Sequence, residues 1–171
     1  MITTSVLICM TVFSMNMRNA DVICDNAHII EQMSKTYDLD PSLIIAVGRI
    51  ESAWTPTSKS PANACGIMQV LPKYSKKFAN KGRNLTCEEL KDPETSIRVG
   101  SKILSYWLHK YAKGNETTAL CGYNAGFRCK GKSRNKQGLK YAKAVLKYRK
   151  YFKRKMRIQK RKYENEMFAN H

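Results

Sequence analysis

The sequence predicts a mostly α-helical protein: one domain, closed at its C-terminal end by a long basic helix. Two observations point there, and a third excludes the main alternative. Apolar residues recur at helical spacing, as where Ile44, Val47, Gly48 and Glu51 stand at i, i+3, i+4 and i+7. Asp40 followed by Pro41 is a strong helix start, because Asp caps free N–H groups and Pro fits the first turn. No segment alternates apolar and polar residues as a half-buried strand would, and none repeats. The length of 171 residues suits a single domain with a real core, and 43% hydrophobic residues suits a globular one.

Taken in order, the chain opens on an uncharged apolar stretch from Ile2 to about Met17. It has the length of a signal-peptide core and is short for a membrane span. Residues 1–20 are therefore read as a signal peptide cut near Ala20, or as an uncleaved N-terminal anchor. A helix is predicted over 25–37, with Ile29, Ile30 and Met33 on one face. The helix that starts at Asp40-Pro41 carries Glu51 on its buried stripe and stops at Trp54-Thr55-Pro56. Residues 55–66, rich in Ser, Thr, Pro, Asn and Gly, read as a loop. Helical patterns resume over 66–79 and over 92–112, where Ile97, Gly100, Ile103, Leu104 and Trp107 form a stripe. Residues 115–127 read as a short helix entering a Gly-punctuated turn. A basic helix over 139–167, with Tyr141, Val145, Tyr148 and Phe152 along one side, ends the chain. The body is placed at 21–150 and a basic extension at 151–171.

The net charge of +18 sits mostly in that last part: residues 1–127 hold 14 Lys and Arg against 11 Asp and Glu, residues 128–171 hold 17 against 2. A stretch of this kind favours polyanions such as nucleic acid, anionic lipid or acidic cell wall, or is a solvated face with no dedicated partner. Of the six cysteines none forms a C-x-x-C pair, and His28, His109 and His171 are scattered, so no metal site is expected. Disulfides Cys24–Cys87 and Cys121–Cys129 are among the possible pairings. Loss of the leader with Cys9 would leave at least one thiol free.

Glu51 is the candidate for chemistry. A carboxyl on an apolar face loses solvation when ionised, so its pKa rises and it holds a proton near neutral pH. That property is wanted in the general acid of glycosidic cleavage. Ordinary glycoside hydrolysis uses two carboxylates, yet no Asp or Glu occurs from residue 52 to residue 87. A lone acid points to substrate assistance, in which the sugar's acetamido group stabilises the cationic centre. Periodicity alone favours a solvated helix-end Glu or one in a local salt bridge.

The motifs weigh against that bland reading. "ESAW…SPANACGIMQ", then "DPETSIRVGSKIL", then "GYNAG", resembles the soluble lytic transglycosylases, relatives of goose-type lysozyme that cut peptidoglycan. The resemblance covers about residues 25–150. It implies a lysozyme-like fold, a substrate of peptidoglycan glycan strands and no cofactor. It makes Glu51 the catalytic acid/base, Ser60 a serine that holds substrate, and Gln69, beside Met68, part of the N-acetyl-sugar site. Tyr123 and Asn124 match the family's tyrosine and asparagine, and Tyr141 resembles a later tyrosine facing the cleft. It also implies the product, 1,6-anhydro-muramoyl ends, because Glu51 would return to take the proton of the muramoyl C6 hydroxyl. Small members of this kind serve secretion, conjugation or pilus machines, or phage particles that perforate the wall.

The sequence departs from the pattern at Asn63, where Gly is usual, at Cys65, at Ser96, where Asn is frequent, and at Gln137, where some members carry Glu. Trp54, Trp107 and the tyrosines are of the types that stack on sugars; Trp107, on an apolar stripe, is expected in the core. The C-terminal stretch interleaves aromatics with bases and is expected to meet anionic wall polymers or DNA, or only solvent. Two other readings stay open: hydrolysis of the same bond by water, and a non-catalytic module that binds glycan or nucleic acid on the same fold.

Overall fold

The computed structural model describes residues 2–129 and 135–169. The first helix, α1 (Thr4–Ser14), is started by Thr3, whose hydroxyl accepts from Val6 N. Ile8, Thr11 and Val12 of α1 are buried, and the helix packs on α2 (Ala20–Asp25), α3 (Ala27–Tyr37) and α8 (Lys136–Ala169). The apolar stretch at the N-terminus is thus, in the structure, an element of the core. No helix among the described residues is long and apolar enough to cross a membrane.

The helix expected over 25–37 is α3, which starts two residues later than expected and is preceded by the separate α2. Asn26 leaves helical geometry, with φ −103° and ψ 10°, and its side-chain amide donates to Val22 O, so the chain turns between α2 and α3. Ile29, Ile30 and Met33 are buried as their spacing requires. Asp40 then caps α4 (Pro41–Ser52), accepting from Ser42 N at 2.9 Å. Seven consecutive residues of α4, Ser42 to Gly48, are buried, so this is the central helix. Gly48 matters here: a Cβ there would meet the Trp54 ring at 2.7 Å, and Trp54 is fully buried with its indole N–H donating to Ile45 O. Trp54 is a core residue.

The helical pattern over 66–79 does not survive. Antiparallel bridges Lys59–Cys65 and Cys65–Val70 shape the segment, followed by a 3₁₀ turn, Pro72–Lys77. Ile67, Met68 and Val70 are all buried, which mimics helical spacing, but positive φ at Gly66 (77°) and Gln69 (49°) and the proline at 72 forbid a helix. A capping box between Thr86 and Glu89 starts α5 (Cys87–Lys91), and Asp92 caps α6 (Pro93–Ser105) by accepting from Thr95 N. One π-turn, Tyr106–Tyr111, prolongs α6. Asn115 caps α7 (Glu116–Ala125), and a 3₁₀ turn, Gly126–Cys129, follows.

The last helix, α8, lies against α7 and α4. It crosses residue 150 unbroken, and Phe152 is fully buried, so the basic helix belongs to the body for its first half. His171 lies outside the described residues. Arg149 and Lys153 of α8 pair with Asp40, at 3.1 Å and 2.6 Å, and Arg149 also pairs with Glu116 of α7. Burial pushes the Asp40 carboxyl up, but hydrogen bonds from Lys153, Ser42 and Arg149 outweigh it and hold the group well below the usual carboxylate range. A depressed pKa means stability that is present above the unfolded-state value and is lost as pH falls through the folded one. Asp40→Ala is therefore expected to lower unfolding free energy by roughly 2 kcal/mol at neutral pH, cap and ion pairs together. Urea denaturation checks this, and the gap to wild type should shrink towards pH 2–3, on the order of the unfolded carboxylate pKa or below.

All six cysteines are paired: Cys9–Cys24, Cys65–Cys87 and Cys121–Cys129. The possible Cys121–Cys129 bond is present. The possible Cys24–Cys87 bond is not, and no thiol is left over, because Cys9 stays in the body within 4.7 Å of Cys24 (Cα to Cα) and frees Cys87 for Cys65.

Candidate active site

Glu51 occupies the last turn of α4, one residue before the helix end. The helix stops because Ala53 and Trp54 both adopt positive φ, 51° and 62°, which folds Trp54 back beneath α4. Glu51 is left half-buried on the rim of the core. Burial pushes its carboxyl up to about 7, and the nearby Tyr141 hydroxyl pulls it back only in part. Tyr141 Oη is itself buried and has no partner of ordinary hydrogen-bond geometry among the described residues. The Tyr123 and Tyr141 phenols are pushed up, first by burial and then by the Glu51 charge, so both stay neutral donors beside the acid.

The segment 66–70, tied to Ser52 next to Glu51, is clamped from three helices. Ser52, adjacent to the acid on α4, donates from Oγ to Ile67 O at 2.9 Å. Met68 N donates to Ser96 Oγ of α6 at 3.0 Å, and Tyr123 Oη of α7 donates to Met68 O at 2.9 Å. The Cys65–Cys87 bond ties the same segment to α5. A strained loop held this way keeps one shape, and the strain at Gln69 falls at the site itself.

A groove of about 1020 Å³ opens along this segment. One wall runs from Gln69 to Phe78, the other from Gly122 to Arg128, with Ile103, Tyr106 and Trp107 at the base. Among its described lining residues four are cations (Lys73, Lys76, Lys77 and Arg128) and none is Asp or Glu. The absence of acids from residue 52 to residue 87 thus leaves the wall from Gln69 to Phe78 without a carboxylate.

The candidate residues fall into three groups. Gln69, Tyr123 and Asn124 line the groove. The Gln69 amide nitrogen donates to Ser58 O and Gly66 O, and no hydrogen bond uses its amide oxygen among the described residues. Tyr141 sits beside Glu51 and, like it, is not among the residues that line the groove. Met68 is fully buried, so its side chain faces the core and only its main chain serves the site. Ser60 Oγ accepts from Ala64 N at 3.0 Å and shapes the turn that leads into the clamped segment. In that turn Asn63 has φ 62°, a conformation that Gly takes freely and Asn tolerates. Trp107 is buried as expected, and its ring also meets Phe127 at the groove edge. Ser52 falls inside the "ESAW" motif, but its role as a clamp is not read from the sequence, because its partner is 15 residues away in a loop of irregular geometry.

An α-helical fold with a single sheltered acid near a groove-lining tyrosine defines a protein of the lysozyme-like class. Comparison with known proteins agrees. The family described as the transglycosylase SLT domain matches residues 28–146. The chain is 33% identical over 108 residues to membrane-bound lytic murein transglycosylase C of Glaesserella parasuis, covering 57% of this chain and 30% of the relative. It is 36% identical over 93 residues to the soluble lytic murein transglycosylase of Escherichia coli K12, covering 52% of this chain and 14% of the relative. The chain thus spans under a third of these relatives' length. An inactive mutant of the lytic transglycosylase Slt of Pseudomonas aeruginosa shares the fold, with a TM-score of 0.68 over 87% of this chain and 30% of that one at 22% identity. The 70 kDa soluble lytic transglycosylase of Escherichia coli does so with a TM-score of 0.62 over 89% of this chain and 30% of that one, at 24% identity. This chain belongs to the transglycosylase SLT domain family.

Proposed function

We propose that the chain is a peptidoglycan lytic transglycosylase that cleaves the β-1,4 bond between N-acetylmuramic acid and N-acetylglucosamine. One observation carries the reading: Glu51, pushed up to about 7 by burial, lies near Tyr123, which lines a groove that has no Asp or Glu among its described lining residues. Protonated Glu51 gives its proton to the glycosidic oxygen, and the C1–O bond breaks as the muramoyl acetamido oxygen closes on C1. Glu51, now a carboxylate, takes the proton of the C6 hydroxyl, and O6 displaces the acetamido oxygen from C1. The product is a 1,6-anhydro sugar, and no water is consumed. Neutral Tyr141 beside Glu51 is placed to steady the carboxylate stage, and Gln69 and Asn124 to hold the sugar. Three disulfides suit an oxidising compartment outside the cytoplasm, where this substrate is found. The burial of α1 and its bond to α2 through Cys9–Cys24 favour a chain that keeps this segment over one that sheds it.

Mass spectrometry of the fragments released from purified peptidoglycan tests the chemistry. Anhydro-muramoyl ends are the expected result. Reducing muramoyl ends would instead mean attack by water, and release of no fragments would mean a binding module.

A further inference from the structure

The outward face of α8 has a pattern that glycan cleavage does not use. Lys143, Lys147, Lys150, Arg154, Arg157 and Arg161 are spaced 4, 3, 4, 3 and 4 residues apart, so they form one ridge along the helix, about 27 Å long at 1.5 Å per residue. All six are exposed. None enters an ion pair or hydrogen bond among the described residues, whereas Arg149 and Lys153, on the inward side, are paired with Asp40 and Glu116. The two acids of α8 itself, Glu164 and Glu166, are exposed near its end, where Glu164 pairs with Lys160 rather than with a ridge residue.

The same face also exposes large apolar side chains. Tyr151 (44% exposed), Ile158 (40%) and Phe168 (81%) stand 4, 11 and 21 residues after Lys147, which returns each to the ridge's side of the helix. A surface that only repels like molecules or stays solvated has no use for Ile and Phe among its cations. A polyphosphate or a duplex would satisfy the charge and leave these side chains in water. An anionic bilayer surface satisfies both, since phospholipid headgroups meet the Lys and Arg while Tyr, Ile and Phe enter the boundary with the acyl chains.

We propose that the outer face of α8 docks flat on an anionic phospholipid membrane. The contact is peripheral, in keeping with the absence of a spanning helix among the described residues. Because Tyr141 lies on the same rigid helix, about 26 Å from Ile158 along its axis, docking fixes the position of the groove relative to the bilayer.

Co-sedimentation of the full chain with vesicles at physiological salt tests this. Binding is expected to phosphatidylglycerol–phosphatidylcholine vesicles and not to pure phosphatidylcholine. The combined variant Lys147→Gln, Lys150→Gln, Arg154→Gln and Arg157→Gln should bind roughly a hundredfold more weakly or worse. The pair Ile158→Ser and Phe168→Ser should weaken binding by roughly tenfold or more with all charges intact. These side chains are exposed, so thermal unfolding should stay at the wild-type midpoint in both variants; a shifted midpoint is met by repeating the assay below it. No binding to the anionic vesicles would overturn the proposal. So would a serine pair that binds them as tightly as wild type, or duplex DNA that competes the vesicles away stoichiometrically, since either outcome leaves a charge-only surface.

Discussion

Glu51→Gln is expected to reduce glycan cleavage by roughly a thousandfold or more and, above neutral pH, to make the folded protein more stable. Both effects have one cause. The amide keeps the shape of the acid but neither gives nor takes a proton, so both halves of the reaction stop. In the wild-type protein the acid is half protonated at about pH 7, so cleavage should fall as pH rises past that point, as the donor is used up. The stability effect has the opposite sign to that at Asp40. Burial raises the Glu51 pKa from 4.5 to about 7, so between those values the folded state binds a proton that the unfolded state has released. Stability is then greatest below the unfolded pKa and falls until pH passes the folded one. The full shift sets a ceiling of roughly 3 kcal/mol, and partial access of solvent to the carboxyl makes about 1–3 kcal/mol the expected gap. Thermal unfolding at pH 4.5 and pH 8 reads it: on the order of zero difference at the acidic end, and a higher midpoint for Glu51→Gln at the basic end. An inactive variant that is less stable at pH 8 would mean that the carboxylate is well solvated, and the acid's role as proton donor near neutrality would fail with it.

What is legible in the sequence depends on the range of the interactions involved. The Asp40-Pro41 start, the buried stripe through Val47 and the position of Glu51 on it are local, and the structure keeps all three. The segment 66–79 reads as a helix and is not one, because burial of Ile67, Met68 and Val70 is imposed by α4, α6 and α7, and only φ at Gly66 and Gln69 separates such a loop from a helix. The start of α3 two residues late is set at Asn26, whose side-chain hydrogen bond to Val22 is too small a signal for periodicity to register. Hydropathy at the N-terminus cannot tell a leader from a helix that buries Ile8 and Val12 against α8, more than a hundred residues away. The pairing of Cys65 with Cys87 follows from where the clamped segment lies in space. At the site, Gln69, Tyr123 and Asn124 are reachable through motifs, whereas Ser52 and Ile67, though inside motifs, are joined by a contact that residue types alone do not show.

That clamped segment is the place where a single methyl group should do the most damage. Gly66 has φ +77°, and a Cβ there would stand 1.9 Å from Leu90 O and 2.8 Å from Ser96 Oγ. The left-handed backbone by itself costs an L-residue about 1–2 kcal/mol. The clash is with main chain in α5, which cannot rotate away, and with the hydroxyl that accepts from Met68 N. Relieving it means moving the segment that carries Gln69 away from α6, and the Gln69 amide loses Gly66 O in the process. Gly66→Ala is expected to lower stability by roughly 3 kcal/mol or more and cleavage by on the order of a hundredfold, measured at a temperature where the variant remains folded. Gly82→Ala is the matched control. Gly82 has φ +65°, and a Cβ there would find nothing within 4 Å, so it suffers the backbone penalty without the clash. About 1 kcal/mol and unchanged cleavage are expected there. Equal losses at the two positions would show that the segment around Gly66 yields to a methyl group, and a rigid seat for the sugar next to Glu51 could then no longer be built on it.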